Sequence, residues 1–396
     1  MADKTALFES SQALLCAVAD YIGADKSNII FDEKKYDEWK FFKAALLKHN
    51  SNALKVAARR THTPGVSPSQ IEEFLEDDKK WYASTIKVAK KIVNDIRTVN
   101  PGYKIRQKGF HKVFYYRGDQ KVMGNIEALF KVANKSAYTS QVKFCNVNKW
   151  CPADMYFATD KSVRDIQTEL REAKVGVYSF QHLNVFMSDL IDSGHLLPLS
   201  LKKVEKKEPE LKKVNYDKKE EIKFLKKVKV KSVSPWKPYK KVKWGTPGET
   251  KSMQVFLETG GFIKIRHDPS AKRFVAEVIF GQASARAGSI GSIEVFCQML
   301  AYVDRGLSSR LMTAFRNGEQ KYYKDVKPYE VLRKSDKKRY DFERLQISGL
   351  HVTNAIMPML KTFFERKDSK ANGFVGMVFQ YITSRTPLSG KFVIAK

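Results

Sequence analysis

The sequence predicts an α/β fold: a helical N-terminal lobe followed by a mixed sheet flanked by helices. Three observations lead there. Apolar residues recur at helical spacing through most of the first hundred positions. Short apolar runs of strand length, bounded by Gly, Pro and Asp, begin near residue 103. From residue 124 the order reads helix, strand, strand, two helices, strand, an alternation that builds a sheet with helices on its faces. With 396 residues and 43% hydrophobic content the chain can bury a sizeable core and hold two or three modules.

The elements follow in order. Residues 10–22 carry Leu14, Leu15, Val18 and Tyr21 on one helical side, and residues 36–49 repeat this with Trp39, Phe42, Leu46 and Leu47. After a turn-rich break at 61–67, Ser67, Pro68 and Gln70 have the pattern of a helix start. The serine is the cap, the proline takes the first helical position and the glutamine completes a capping box. One helix is expected from there to residue 99, ending before Asn100-Pro101-Gly102. Residues 102–117 alternate basic and apolar residues as one or two short strands, and 124–137 form a helix with Ile126, Leu129, Phe130 and Ala133 inward. Residues 143–147 and 154–158 read as strands, 163–171 and 180–193 as helices, and 196–204 as a buried strand. Residues 202–243 hold seventeen lysines and six acids, a composition that suits either a solvated linker or a phosphate-binding arm. Residues 256–265 and 273–280 read as strands, and the remainder as mostly helical. The expected domains are therefore a helical lobe over 1–100, an α/β core over 101–204, a lysine-rich linker or arm over 205–250 and a mixed C-terminal region over 251–396 that can complete the core.

Charge narrows the partners. Lys and Arg number 72 against 43 Asp and Glu, a net charge of +29, whereas solubility alone asks for roughly 2–8 on a small domain. Such an excess points to a polyanion, and nucleic acid is the expected partner. Cys16, Cys145, Cys151 and Cys297 are too few and too scattered for a disulfide framework or a zinc finger. No apolar run has the length of a signal peptide or a membrane span, so a soluble protein of a reducing cytoplasm is expected.

The chemistry-bearing residues cluster around Asn148-Lys149-Trp150-Cys151-Pro152-Ala153-Asp154 and Leu199-Ser200-Leu201-Lys202-Lys203. Asp154 opens a strand, Ser200 and Lys202 lie two apart on one face of another, and Glu127 sits on the helix before them. Two carboxylates and a lysine meeting at one point can bind Mg²⁺ (or Mn²⁺) and act on a phosphodiester. Read alone, Asp154 is also an ordinary turn residue and Ser200 to Lys203 the end of a core strand. Two basic clusters stand as further candidates: Arg286 in the glycine-rich run 281–291, and Lys237, Lys240 and Lys241 interleaved with Trp236, Tyr239 and Trp244. Those aromatics either stack bases or pin the segment to the core.

Taken together, the helix glutamate, the Lys149-Trp150-Cys151-Pro152-Ala153-Asp154 motif and the Ser200-Leu201-Lys202-Lys203 motif resemble the PD-(D/E)XK, or restriction-endonuclease-like, superfamily. In particular they resemble a divergent group of tailed-phage proteins, over about residues 124–204 and extending to the strand pair and basic loop of 262–288. The resemblance implies a nuclease-like core and a phage-encoded, Mg²⁺-dependent DNA nuclease or a DNA-processing protein derived from one. It would work in the host bacterial cytoplasm or in the virion. Asp154 and Glu127 would be the metal ligands and Lys202 the motif lysine, with Lys149, Lys203, Lys237, Lys240, Lys241, Arg266 and Arg286 contacting DNA. Ser200 departs from the pattern, since the superfamily usually has Asp or Glu there. A non-catalytic DNA-binding or DNA-end-protecting protein is the alternative.

Overall fold

The computed structural model describes residues 3–99, 113–135, 144, 146–176, 178–204, 208–217, 227–244, 252–269, 273–280, 285–384 and 389–396. The chain divides into two compact units. The first comprises Met1–Tyr138, Asn146–Asp217 and Leu388–Lys396, and the second Thr139–Cys145 and Lys218–Pro387. No helix among the described residues is long and apolar enough to cross a membrane.

The first unit opens with six helices: α1 (Lys4–Ile22), α2 (Ala24–Ile30), α3 (Trp39–His49), α4 (Ala53–Ala58), α5 (Pro68–Asp77) and α6 (Lys79–Val99). They do not form a lobe apart. Leu14, Leu15 and Val18 of α1, Phe42 of α3, and Ile86 and Ile92 of α6 belong to one buried cluster with Tyr115, Phe157, Leu197, Leu199 and Val393 of the sheet. The capping box at Ser67 and Gln70 is present, the two residues exchanging hydrogen bonds of 2.9 and 3.2 Å. The single helix expected over 68–99 is broken at Asp78. Its backbone leaves the helical region (φ −122°, ψ 86°), and its carboxylate accepts the Trp81 N–H at 3.2 Å, so it caps α6 instead of continuing α5.

The sheet of this unit is mixed, with strands β1 (Thr61–His62), β2 (Val113–Tyr116), β3 (Met155–Thr159), β4 (Leu196–Leu201), β5 (Leu211–Val214) and β11 (Phe392–Ala395) in the order β1-β2-β3-β4-β11-β5. The β2–β3 and β3–β4 pairs are antiparallel, β4–β11 is parallel and β11–β5 antiparallel. Because side chains alternate along a strand, Met155 and Phe157 face the helices at the N-terminus. Tyr156 and Ala158 face the other way, where α9 (Asp160–Val175) packs on β3 and α10 (Phe180–Asp192) on β4. Helix α7 (Asn125–Lys135) packs in turn on α9 and α10. Val147, expected at a strand end, instead opens the short helix α8 (Val147–Trp150).

The lysine-rich tract is not a linker throughout. It supplies β5 to this sheet and β6 (Val230–Val233) to the second unit; residues 205–207 and 218–226 lie outside the described residues. The second unit is an antiparallel meander, β10-β9-β8-β7-β6, followed by helices. The single strand expected over 256–265 is a hairpin of β7 (Met253–Leu257) and β8 (Phe262–Asp268). Gly260 and Gly261, at φ 86° and 75°, turn the chain between them in a region other residues rarely adopt. β9 (Arg273–Phe280) and β10 (Ala285–Ile290) complete the sheet.

His267 of β8 is sealed in this core. Its Nδ1 lies 2.6 Å from the Ser348 hydroxyl and its Nε2 3.9 Å from a Glu319 oxygen, with the rings of Phe315 and Tyr322 edge-on to it. The order Ser, His, Glu is that of a nucleophile with its base and orienting acid. Ser348 is only 2% exposed, however, and the imidazole is fully buried, so a substrate has no approach and the link is structural. Burial pushes the His267 pKa down to about 4, the Asp268 charge opposing it. The folded value lies below the ordinary ~6.5, so the unfolded chain takes up the proton first. Stability from this group is complete above pH ~6.5, falls across the window down to about 4 and is lost below it. The unfolding midpoint of the protein should therefore drop as pH falls from ~6.5 to ~4. His267→Gln should flatten that slope in thermal melts, and an unchanged slope would contradict a buried neutral imidazole.

Candidate active site around Asp154

The strand carrying Asp154 is anchored from just upstream. Trp150 is completely buried, donates its indole N–H to Asn184 of α10 at 2.9 Å and lies beside Phe130 of α7. Its carbonyl accepts the Gly390 N–H at 2.9 Å. A side chain at Gly390 would meet the Trp150 ring at 3.1 Å, which explains a glycine there. Next to it, burial pushes the Cys151 thiol up to about 12. Its neighbour is the Tyr156 hydroxyl, 3.9 Å away, so Cys151 is a packing residue and not a nucleophile.

Asp154 extends the β3–β4 ladder by one residue, its N–H donating to the Leu199 carbonyl at 2.9 Å. Its Oδ2 accepts the Leu201 N–H at 2.5 Å and the Ser200 hydroxyl at 3.2 Å. The carboxylate is thus held against the end of β4 by two donors. Burial nevertheless raises its pKa, against the lowering influence of the Leu201 N–H, the Lys202 charge and the Ser200 hydroxyl. Lys202 is exposed, and its own N–H is tied to the Ala395 carbonyl of β11 at 2.8 Å.

A residue the sequence did not single out joins this group. Glu9 of α1 is mostly buried, and its Oε2 accepts the Arg117 Nε–H at 2.8 Å, just beyond β2. Burial raises the Glu9 pKa. The Arg117 hydrogen bond opposes this, and the charge of Asp154 adds to it. The signal was present in the sequence as an oddity. Across the 19 residues of α1 the only acids are Glu9 and Asp20, and after Lys4 they are its only charged residues. Asp20 is matched to Arg60 at 3.2 Å. Lone charges in a buried helix need partners.

The remaining sequence candidates are distributed elsewhere. Glu127, on α7, pairs with Lys131 one turn on at 2.8 Å and is about half exposed. Among the described residues no hydrogen bond or ion pair joins it to Asp154. Lys149 is partly exposed on α8, and Lys203 lays its ammonium over the Trp81 ring, 4.6 Å from its centre. In the second unit Arg266 is committed to Glu277 at 3.1 Å and Asp268 at 3.5 Å, which neutralises it. Lys237, Lys240 and Lys241 are exposed, but Trp236 and Tyr239 between them are buried. Asn354 grips the Tyr239 backbone at 2.6 and 3.0 Å, so these two aromatics pin the segment down. Trp244 remains half exposed, edge-on to Phe342. The side chain of Arg286 and the loop 281–284 lie outside the described residues.

Among the described residues no group of three or more His, Cys, Asp and Glu side chains is gathered as a metal cage. Mg²⁺ asks for less: one or two carboxylates, the rest being water. Glu9 and Asp154 each have a second oxygen that no hydrogen bond among the described residues engages, and both are strained toward the neutral form. Both are hard oxygen donors of the kind Mg²⁺ takes, Glu9 through the oxygen that Arg117 leaves open. Since both pKa values are raised, the contribution of these groups to stability is complete at low pH and is lost as pH rises through the folded values. Asp154→Asn should raise the thermal midpoint at pH 7, and the gain should vanish below about pH 4. Mg²⁺ should raise the wild-type midpoint and lose that effect in Asp154→Asn.

No family model, no curated protein and no solved structure matches this chain.

Proposed function

We propose that the chain is a metal-dependent DNA phosphodiesterase, a nuclease or a DNA-processing protein derived from one, with Asp154, Glu9 and Lys202 as its working residues. The observation that carries this reading is the Asp154 carboxylate. It is fixed at the mouth of a β3–β4 pair by Leu201 and Ser200, carries a raised pKa, and feels the charge of the lysine that ends the same strand. The helix carboxylate of the site is Glu9 in this reading, in place of Glu127, because Glu9 is mostly buried and feels the charge of Asp154, whereas no interaction among the described residues joins Glu127 to it. The phage origin and the host or virion setting implied by the motif resemblance belong to the same proposal.

Each residue then has a distinct task. Asp154 and Glu9 would hold Mg²⁺ or Mn²⁺. The ion, when bound, lowers the pKa of its water and offsets charge on the scissile phosphate. Leu201 N–H and the Ser200 hydroxyl lock the Asp154 rotamer, so its orientation costs nothing when substrate arrives. Arg117 does the same for Glu9. Lys202, exposed at the strand end, would contact a phosphate oxygen and balance the charge that grows there.

A second reading is a non-catalytic DNA-binding or DNA-end-protecting protein, and Ser200 favours it. The position two before the lysine supplies a hydroxyl that donates to Asp154, where a further carboxylate would have added a ligand. Purified protein on linear and circular duplex DNA with Mg²⁺ or Mn²⁺ separates the two. Cleavage should fall by about 100-fold or more in Asp154→Asn, Glu9→Gln and Lys202→Ala, while Glu127→Gln should stay within about twofold. Ser200→Asp should place a second carboxylate at hydrogen-bonding distance from Asp154. That variant should melt lower without metal, recover with Mg²⁺ and keep or gain activity. No cleavage by the wild type or by Ser200→Asp with either metal, together with tighter DNA binding by Asp154→Asn, would establish the binder instead.

A further inference from the structure

The longest helix of the second unit, Arg305–Val326, divides its surface cleanly in two. Leu307, Ser308, Leu311, Phe315, Gly318, Tyr322 and Val326 are its buried residues. At 100° per residue they fill an arc of about 100°. Arg305, Arg310, Arg316, Lys321 and Lys324 are all exposed. They fall within an arc of about 160° centred directly opposite. The only residues between them on that arc are small, polar or aromatic, with Ser309, Thr313, Asn317 and Gln320 exposed. The two acids of the helix lie at the edges of the buried stripe. Glu319 turns to His267, and Asp325 is hydrogen-bonded to His351 at 2.7 Å.

Five other helices of the molecule each carry a cation balanced by an acid of the same helix. Lys91, Lys131, Lys161, Lys337 and Lys361 each have an acid one turn away at 2.5 to 3.6 Å, which is how a solvated helix surface is ordinarily balanced. None of the five cations of Arg305–Val326 forms an ion pair or a hydrogen bond with any described side chain. Past the helix the exposed cations continue through Lys327, Arg333, Lys334, Lys338 and Arg339. Five uncompensated charges along about 28 Å of rigid helix repel one another and gain from an anionic partner whose charges are spaced along a line of similar length. One turn of duplex DNA, about 34 Å, presents such a row of phosphates. The interleaved hydroxyl and amide side chains are suitable donors to phosphate oxygens, and they read no bases.

We propose that the exposed face of the Arg305–Val326 helix is a sequence-independent docking surface for the backbone of duplex DNA. It is distinct from the Asp154 site and from the lysine-rich tract, and it holds whether or not Asp154 supports cleavage. An anionic membrane fits the charge but not the face, since no large apolar side chain other than Tyr323 is exposed on that arc to insert among lipids.

The test is a fluorescence-anisotropy titration of full-length protein with a labelled 20-base-pair duplex of arbitrary sequence over a range of salt. A variant with Arg310, Arg316, Lys321 and Lys324 all changed to Gln is compared with a control of equal charge loss, Lys26, Lys34, Lys48 and Lys80 changed to Gln. Matched thermal midpoints confirm that both fold. The helix variant should bind at least tenfold more weakly, with a log–log salt slope reduced by about 2–4, against about 0.9 for each phosphate contact removed. The control should remain near wild type. Equal losses in the two variants, or a helix variant whose slope changes by less than about 1, would overturn the proposal. So would helix-variant loss confined to sedimentation with phosphatidylserine vesicles while duplex binding stays unchanged. Loss of binding in a variant that still cleaves at saturating DNA separates this surface from the Asp154 reading.

Discussion

The insertion of β11 between β4 and β5 is the pairing on which the first unit depends. Val393, Ile394 and Ala395 run parallel to Leu199, Ser200 and Leu201, and antiparallel to Lys213, Lys212 and Leu211. Without β11, β4 would be an edge strand with unpaired backbone groups beside the candidate site. With it, the Ala395 carbonyl takes the Lys202 N–H. Only then is the end of β4 rigid enough for Leu201 and Ser200 to hold Asp154. The neighbouring Gly390 and Lys391 reinforce this from the same segment, the first through the Trp150 carbonyl and the second through Asp192 at 2.7 Å.

Local chemistry made much of this fold legible. The Ser67 capping box, the inward face of α7, the helix α10, and strands β3 and β4 are written in neighbouring residues, where capping, periodicity and alternation act directly. Asp154, Ser200 and Lys202 were legible for the same reason, because a strand of known phase dictates which residues share a face. The break at Asp78 was hidden by an uninterrupted apolar period on both sides. It arises because one carboxylate can serve as the cap of a new helix. The hairpin at Glu258 to Gly261 was announced by Gly260-Gly261, and the single strand expected there ran through that turn signal because apolar residues resume directly after it.

What the sequence could not offer was partnership over distance. Glu9 and Arg117 are separated by more than a hundred residues, and nothing near either announces the other. The helix carboxylate was sought next to the motif, at Glu127, because sequence proximity is the only proximity a chain displays. Burial, which the structure supplies, reverses the choice: Glu127 is exposed and tied to a lysine one turn away, while Glu9 is mostly buried, is oriented by Arg117 and feels the charge of Asp154. The lysine tract was misleading in the same manner. Its composition describes solvation, yet β5 and β6 need only one apolar residue in two or three to seat on a sheet, and Val214 and Val230 provide it.

The order of strands also bears on how the chain reaches this state. Residues 218–387 intervene between β5 and β11, and Asn215 closes the gap by donating its side-chain N–H to the Gly390 carbonyl at 2.7 Å. A ribosome delivers β4 and β5 long before their shared neighbour, so the first sheet waits with an open slot while residues 218–387 are made. Closing so long a loop is slow when the intervening chain is disordered, and much cheaper once that chain has compacted. Folding of the second unit should therefore set the pace for the first, and the exposed slot between β4 and β5 is the step at which a nascent chain is most open to pairing with the wrong strand.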